Sequence, residues 1–378
     1  MNVLITGADG FIGRNLRAAL RQFDHRLFLI DIASSDDDLA AAAAQADFVF
    51  HLAGINRPKE VNEFQAGNTD FTVSLLAALE NGKKPPVLIS SSTQAALDNP
   101  YGKSKRDAED AVHAYQARVH SPVYIYRLTN VFGKWSRPNY NSAVATFCHN
   151  IAHDLPITVS DPQYLLRLVY IDDVIDEFLR AFQGNPTVDA NGFCSAGPQH
   201  EATLAQIVAL IRKFHAVSTT LNLPDQRDPF VRKLFATYQS FLPPDRLAYV
   251  PKSHADTRGS FTELMHMLGY GQISVNVTKP NVRKGSHWHH TKHEKFIVVS
   301  GHGIIRFRNP FDTQVYSYPV GSNVITVIDV PPGYIHTIEN IGPDDLVTLM
   351  WASEIFDPEH PDTYQQNFEP TTTGDDAL

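Results

Sequence analysis

The chain predicts a doubly wound parallel α/β sheet followed by an all-β barrel, and three observations carry that prediction. Up to about residue 250, short apolar strands alternate with helix-length segments, which implies parallel pairing with helices on both faces. A glycine turn, Gly7-Ala8-Asp9-Gly10-Phe11-Ile12-Gly13, joins the first strand to the first helix. Towards the other end, short alternating runs separated by Gly, Pro and Asn turns enclose His287-Trp288-His289-His290-Thr291-Lys292-His293-Glu294.

The first strand is Asn2-Val3-Leu4-Ile5-Thr6, and helical spacing follows over 14–20. A second strand over 27–30 ends in Asp31, a third over 47–54 stops at Gly54, and a fourth, Pro86-Val87-Leu88-Ile89-Ser90, opens onto Ser91-Ser92. In such sheets ligands sit at the carboxyl ends of the strands. Between residues 184 and 249 the pattern is mostly helical. Phe230, Leu234, Tyr238 and Leu242 recur every four residues, a stripe expected to pack the end of the first domain until Pro243-Pro244 stops the helix. Strand texture returns over 272–277, 295–300, 303–308 and 346–351, so the boundary is placed at 250: domain one 1–250, domain two 251–378, with residues 371–378 as a frayed tail.

At 378 residues, two cores are expected. With 41 acidic against 32 basic side chains and no basic stripe, nucleic acid is excluded as a partner. Two cysteines in unlike contexts, Cys148 and Cys194, read as buried thiols in a reducing compartment. No apolar run approaches the roughly 18 residues of a membrane helix, and a strand starting at Asn2 leaves no room for a leader, so a cytoplasmic location without membrane association is expected.

Glycines between a strand and a helix let the backbone approach a pyrophosphate, whose charge the helix amino end stabilises. Asp31, 18 residues past Gly13, either accepts both adenosine ribose hydroxyls, which would repel a 2′-phosphate, or caps a helix. Farther on, Tyr101-Gly102-Lys103-Ser104-Lys105 puts a phenol and an ammonium one helical turn apart, where the cation is expected to lower the phenol's pKa. A phenol so placed donates a proton to a carbonyl oxygen as hydride reaches its carbon, and a nearby serine holds that oxygen.

With His51-Leu52-Ala53-Gly54, Asn68, the run Arg127 to Gly133 and the run Arg167 to Val174, residues 1–245 resemble the extended short-chain dehydrogenases/reductases of the nucleotide-sugar branch, a Rossmann-type fold. The resemblance implies Ser92, Tyr101 and Lys105 as the catalytic set. It implies Gly7, Gly10, Phe11, Ile12, Gly13, Asp31, Leu52, Ala53, Tyr101, Lys105 and Asn130 as the dinucleotide contacts. Only eight residues separate Ser92 from Tyr101, fewer than in most relatives, which leaves that side of the pocket open or shaped by another segment.

In the second half, two histidines one residue apart share a strand face. The segment His287-x-His289-x-x-x-x-Glu294, answered by Pro331-x-Gly333-x-x-His336-x-x-x-Asn340, resembles both halves of the cupin signature, with Gly285 nearer His287 than the pattern expects. By that resemblance His287, His289, Glu294 and His336 are the ligands of a divalent metal. Three histidines and a carboxylate suit zinc, iron, manganese or nickel, with zinc expected first, and a metal-free barrel is the alternative. His290 and His293 read as surface groups or supports behind the ligands, and His293, Lys295 and Tyr334 are candidate bases.

Over essentially the full length, including Lys134 to Ser142, the chain is similar to the fused reductase–cupin enzymes of capsular-polysaccharide and O-antigen synthesis, which make the precursor of UDP-N-acetyl-L-fucosamine. That implies C3 epimerisation of a UDP-2-acetamido-2,6-dideoxy-hex-4-ulose by the barrel, then NADPH-dependent reduction at C4, giving UDP-2-acetamido-2,6-dideoxy-L-talose. Asp31 admits NADH instead. It also implies a homodimer, and Asn139, Tyr140, Asn141 and Ser142 form a polar cluster placed either at the uridine diphosphate or in an ordinary loop. A cupin dioxygenase or isomerase with a scaffolding α/β half, and a nucleotide-sensing regulator, stand as alternatives.

Overall fold

The computed structural model describes residues 1–250, 253–256, 259–262, 272–354 and 359–369, so the tail expected over 371–378 lies outside the described residues. The chain forms two compact units, Met1–Ser142 with Leu166–Glu201, and Ala143–Leu165 with Ala202–Gly374.

In the first unit, β1 (Asn2–Thr6), β2 (Arg26–Ile30), β3 (Phe48–His51), β4 (Val87–Ser92) and β5 (Val123–Leu128) form a parallel sheet in the order β2-β1-β3-β4-β5. Its strands read as continuous apolar runs because both faces are covered: Val3, Leu4 and Ile5 are all fully buried. On one face Leu4, Val49 and Ile89 pack with Leu75 and Leu79 of α3 (Phe71–Glu80) and Val112 and Tyr115 of α4 (Pro100–Val119). On the other, Phe48 and Phe50 meet Phe178 and Phe182 of α5 (Ile171–Phe182), the Phe48 and Phe182 rings being 4.9 Å apart and edge-on. Truncating one such side chain to alanine costs about 2–5 kcal/mol. Because β2 and β3 flank β1 on opposite sides, the strand order reverses there, and the crevice beyond the carboxyl ends of β1 and β3 is where this fold binds ligands.

In the second unit two five-stranded sheets form the barrel. One runs Gln272–Thr278, Leu346–Ala352, Glu294–Ser300, Val327–Val330 and Ala248–Tyr249; the other runs Val315–Gly321, His302–Arg308, Ile335–Asn340, Arg283–Trp288 and Tyr364–Gln365. Phe296, Val298, Ile305, Phe307, Ile328, Val330 and Ile338 fill the space between them. The helix Pro229–Gln239 belongs to this unit, started by Asp228, whose carboxylate accepts from the N–H groups of Phe230 and Val231, with Pro229 in its first turn. The stripe expected to close the first domain is therefore corrected: Phe235 meets the His293 ring edge-on at 4.8 Å, and Leu242 packs on the barrel core. Apolar periodicity reveals that a helix buries one face, not which neighbour covers it. Cys148 and Cys194 are free and buried, and burial raises both thiols, Cys194 to about 11.

Candidate functional site

The glycine turn follows β1 and ends at α1 (Phe11–Leu20), whose N-cap residue is Gly10, so no side chain occupies its first N–H groups. Gly7 has φ +66, and a Cβ there would lie 2.7 Å from the Ala53 nitrogen after β3; one on Gly13 would lie 2.2 Å from the Gly7 carbonyl oxygen. Only glycine permits this approach. Leu52 N–H donates to the Thr6 carbonyl at 3.2 Å and Ala53 N–H to the Thr6 hydroxyl at 3.3 Å, fixing one strand end against the other. His51 locks the same place, its ring bonded to Thr6 and Thr72 at 2.7 Å each, and burial holds it neutral with its pKa lowered to about 3. An uncapped helix end and a backbone cradle fit a dinucleotide pyrophosphate.

At the end of β2 the Asp31 carboxylate accepts from Asp9 N–H at 2.6 Å and from Ile32 N–H at 2.8 Å. It caps no helix, because α2 (Asp36–Gln45) is capped by Ser35 in a reciprocal box with Asp38. Asn130, in the strand Asn130–Phe132, donates its amide to the Arg167 carbonyl at 3.0 Å.

Tyr101 and Lys105 lie on the first two turns of α4, which Asn99 caps by accepting from Gly102 N–H at 2.8 Å. A side chain at Gly102 would strike the Gln94 carbonyl oxygen at 2.3 Å, so glycine lets the helix start against the turn that follows β4. The three serines separate by the strand pleat. Ser91 donates to the buried carboxylate of Glu109, which also pairs with Arg127; Ser90 offers its carbonyl to the Lys105 ammonium at 3.2 Å; and the Ser92 hydroxyl, which accepts from Gln94 N–H at 3.2 Å, lies near enough to the Tyr101 phenol to draw its pKa down. The expectation that Lys105 lowers the Tyr101 pKa is corrected. Burial raises the phenol, and the one opposing influence is the Ser92 hydroxyl. Lys105 is itself buried, its pKa pulled down to about 8 by desolvation against an upward pull from Glu109. Its ammonium also faces Gly54, where a Cβ would lie 3.0 Å from it and 2.8 Å from the amide oxygen of Asn68. Asn68 in turn grips Ile55 through both backbone groups and donates to Ser104. Of the polar cluster, Asn141 accepts from Arg57 at 3.3 Å and Tyr140 lies under the Arg137 guanidinium.

In the barrel, His287, His289, Glu294 and His336 bring one ligand atom each to within 4.8 Å of one another. His287 and His336 are cross-strand partners with ring centroids 4.5 Å apart. The register shifts between Gly285 and His287, where Gly285 has φ +100 and Ser286 φ +60; this bulge turns the strand and accounts for the close spacing of Gly285 and His287. The Nε2 atoms of His289 and His336 stand 3.5 and 3.4 Å from Glu294 Oε2, and none of these three buried atoms has a hydrogen-bond partner. Burial pushes the pKa of His287 down to about 3 and lowers that of His336; burial would raise Glu294, but the two histidines beside it hold it well below the usual carboxylate range. Three imidazoles and a carboxylate with orphaned buried atoms, one ligand atom from each within 4.8 Å of the others, could hold a divalent metal ion.

Sequence reasoning missed what holds this set in place. The Asp362 carboxylate accepts from the backbone N–H groups of His290, Thr291 and Lys292 at 2.7, 2.8 and 2.6 Å, and its carbonyl bonds His289 Nδ1, which leaves Nε2 to face the cluster. Nothing local marks a residue some seventy positions away from the loop it organises. The candidate bases also separate. Flanking Glu294, His293 and Lys295 point to the opposite strand face. His293 is buried against Phe235 and Trp351, not at the surface, and Lys295 pairs with Asp329 and donates to the Tyr249 hydroxyl at 2.9 Å. His290 stacks edge-on with Trp288 and Tyr364.

These features define a class: an α/β dinucleotide fold with a Tyr-x-x-x-Lys helix, fused to a cupin-type barrel with a three-histidine, one-glutamate cluster. Residues 3–192 match the NAD dependent epimerase/dehydratase family, and residues 254–364 match the polysaccharide biosynthesis C-terminal domain. The chain is 41% identical over 366 residues, 96% of its length and 98% of the relative's, to UDP-2-acetamido-2,6-beta-L-arabino-hexul-4-ose reductase of Pseudomonas aeruginosa. It superposes with TM-score 0.68 and 45% identity on the capsular polysaccharide assembling protein CapF of Staphylococcus aureus, covering 97% of this chain and all of that one. The chain thus belongs to the NAD-dependent epimerase/dehydratase family and is an NAD(P)-dependent enzyme.

Proposed function

We propose that this enzyme epimerises C3 of a UDP-2-acetamido-2,6-dideoxy-hex-4-ulose in its barrel and reduces the C4 ketone in its α/β domain. The product is UDP-2-acetamido-2,6-dideoxy-L-talose, for capsule or O-antigen synthesis in the cytoplasm. The match to a hexul-4-ose reductase across both halves supports this reading, as does the fused architecture shared with CapF. The observation that carries it is the Ser92 hydroxyl at the carboxyl end of β4 beside the Tyr101 phenol, on the helix that also bears Lys105.

A ketone at C4 acidifies the C3 hydrogen, so removal and return of that proton on opposite faces inverts C3 before the carbonyl is lost. Tyr334, next to the barrel core, is the remaining candidate for that transfer among the three named from sequence. A divalent ion held by His287, His289, Glu294 and His336, with zinc expected, would supply Lewis-acid polarisation of a sugar oxygen. For the second reaction, NAD(P)H supplies the hydride when bound. The Ser92 hydroxyl holds the ketone oxygen, and Tyr101, kept protonated by its raised pKa, donates the proton that turns that oxygen into a hydroxyl. Lys105, anchored on the Ser90 carbonyl, places positive charge beside the ribose and the developing oxyanion. The enzyme is expected to act as a homodimer.

Incubation with a UDP-4-keto-6-deoxy-N-acetylhexosamine, reduced dinucleotide and deuterated water tests both halves. Deuterium at C3 with dinucleotide oxidation is expected; oxidation without deuterium removes the epimerase assignment, and no oxidation removes the reductase.

A further inference from the structure

We infer that the adenosine end of the dinucleotide site selects NADH and rejects NADPH, with Asp31 as the determinant. The inference rests on the reductase reading above and goes against the NADPH that resemblance alone implies. Asp31 directly follows β2, the strand beside β1, and its carboxylate is tied to the glycine turn itself through the Asp9 N–H at 2.6 Å. The second oxygen is oriented by Ile32 N–H at 2.8 Å. Each carboxylate oxygen keeps a further lone pair, so a rigid acceptor pair stands where an adenosine ribose meets this fold and suits a 2′,3′-diol.

A 2′-phosphate brings about two negative charges and needs cationic or N–H donors. The two segments that flank this position offer no cation. The turn Gly7 to Gly13 contains Asp9 and no cation, and residues 31–38 hold Asp31, Asp36, Asp37 and Asp38 with no Lys, Arg or His. The Arg17 guanidinium, on the helix after the turn, is taken up by the Asp9 carboxylate and the Ala8 carbonyl. The amino end of α2 is also closed to a phosphate: Ser35 accepts from Asp38 N–H while Asp38 accepts from Ser35 N–H and hydroxyl. Like charges brought together at a binding surface repel strongly, which makes this a device against the wrong dinucleotide as well as for the right one.

Ile32 offers a clean handle. It is 99% exposed, so replacing its side chain disturbs no packing, and it lies next to the carboxylate. Titration calorimetry of the intact protein with NADH and with NADPH, without sugar, reads the preference directly. NADH is expected to bind at least about tenfold more tightly. In the double variant Asp31→Ser, Ile32→Arg the ratio should fall to unity or invert, and the NADPH affinity should become strongly salt-dependent. Wild-type protein that binds NADPH as tightly as NADH overturns the inference and leaves the reductase reading standing. A double variant that keeps the wild-type ratio removes Asp31 as determinant. Binding of neither dinucleotide removes the reductase reading and this inference with it.

Discussion

The Tyr101 phenol departs from the simplest electrostatic expectation, because burial raises it and the only downward pull comes from Ser92, not from the lysine one turn away. A phenol with a raised pKa is a proton donor throughout the neutral range. Tyr101→Phe is therefore expected to lower the rate of ketone reduction by about 100-fold or more, with circular dichroism unchanged. Lys105 makes a pH prediction with a definite sign. Its folded pKa, about 8, lies below its ordinary value of 10.5, so between those limits the unfolded chain binds more protons and stability rises with pH. Thermal melts of wild type and Lys105→Met at pH 8 and 10 should show the wild type gaining relative to the variant; parallel curves would refute the buried ammonium. In the barrel, Asp362→Ala should weaken metal binding by about 10–100-fold in chelator competition, because three backbone N–H donors of the loop carrying His289 lose their acceptor.

Among the elements, those legible in the sequence are the ones whose signal is local. The glycine turn, the serine-ended β4, the Tyr101–Lys105 helix and the paired His287 and His289 each occupy a few consecutive residues, and each stands where its pattern implied. Illegible were the contacts that join distant segments: Asp362 under the ligand loop, Ala248–Tyr249 as an edge strand beside Val327–Val330, and the barrel neighbour of the Pro229–Gln239 helix. The bulge at Gly285 lies between these cases, since a lone strand glycine hints at irregularity without saying which side chain it redirects. A Cβ at Gly285 would meet the His336 carbonyl oxygen at 2.7 Å, and φ +100 strains any other residue. Gly285→Ala should therefore cost the barrel about 1–3 kcal/mol and disturb two ligands together, measurable as a lower melting temperature with weaker metal uptake.

For the whole molecule, the two sites sit on scaffolds of opposite kind. A parallel sheet leaves its ligand crevice in loops at strand ends, whereas the barrel places His287, Glu294 and His336 on strands, with cross-strand pairing setting His287 against His336 and only His289 on a loop. An ion that binds only the folded barrel stabilises it by mass action, so zinc loading should raise the melting temperature, and Glu294→Gln should abolish most of that gain. No helix among the described residues is long and apolar enough to cross a membrane. Finally, the two native thiols, sealed in the interior and held protonated, are poor nucleophiles towards maleimides. Two cysteines introduced on exposed surfaces, one in each half, would thus take up a donor and an acceptor fluorophore without removing either native thiol, which opens distance measurements between the two halves during turnover.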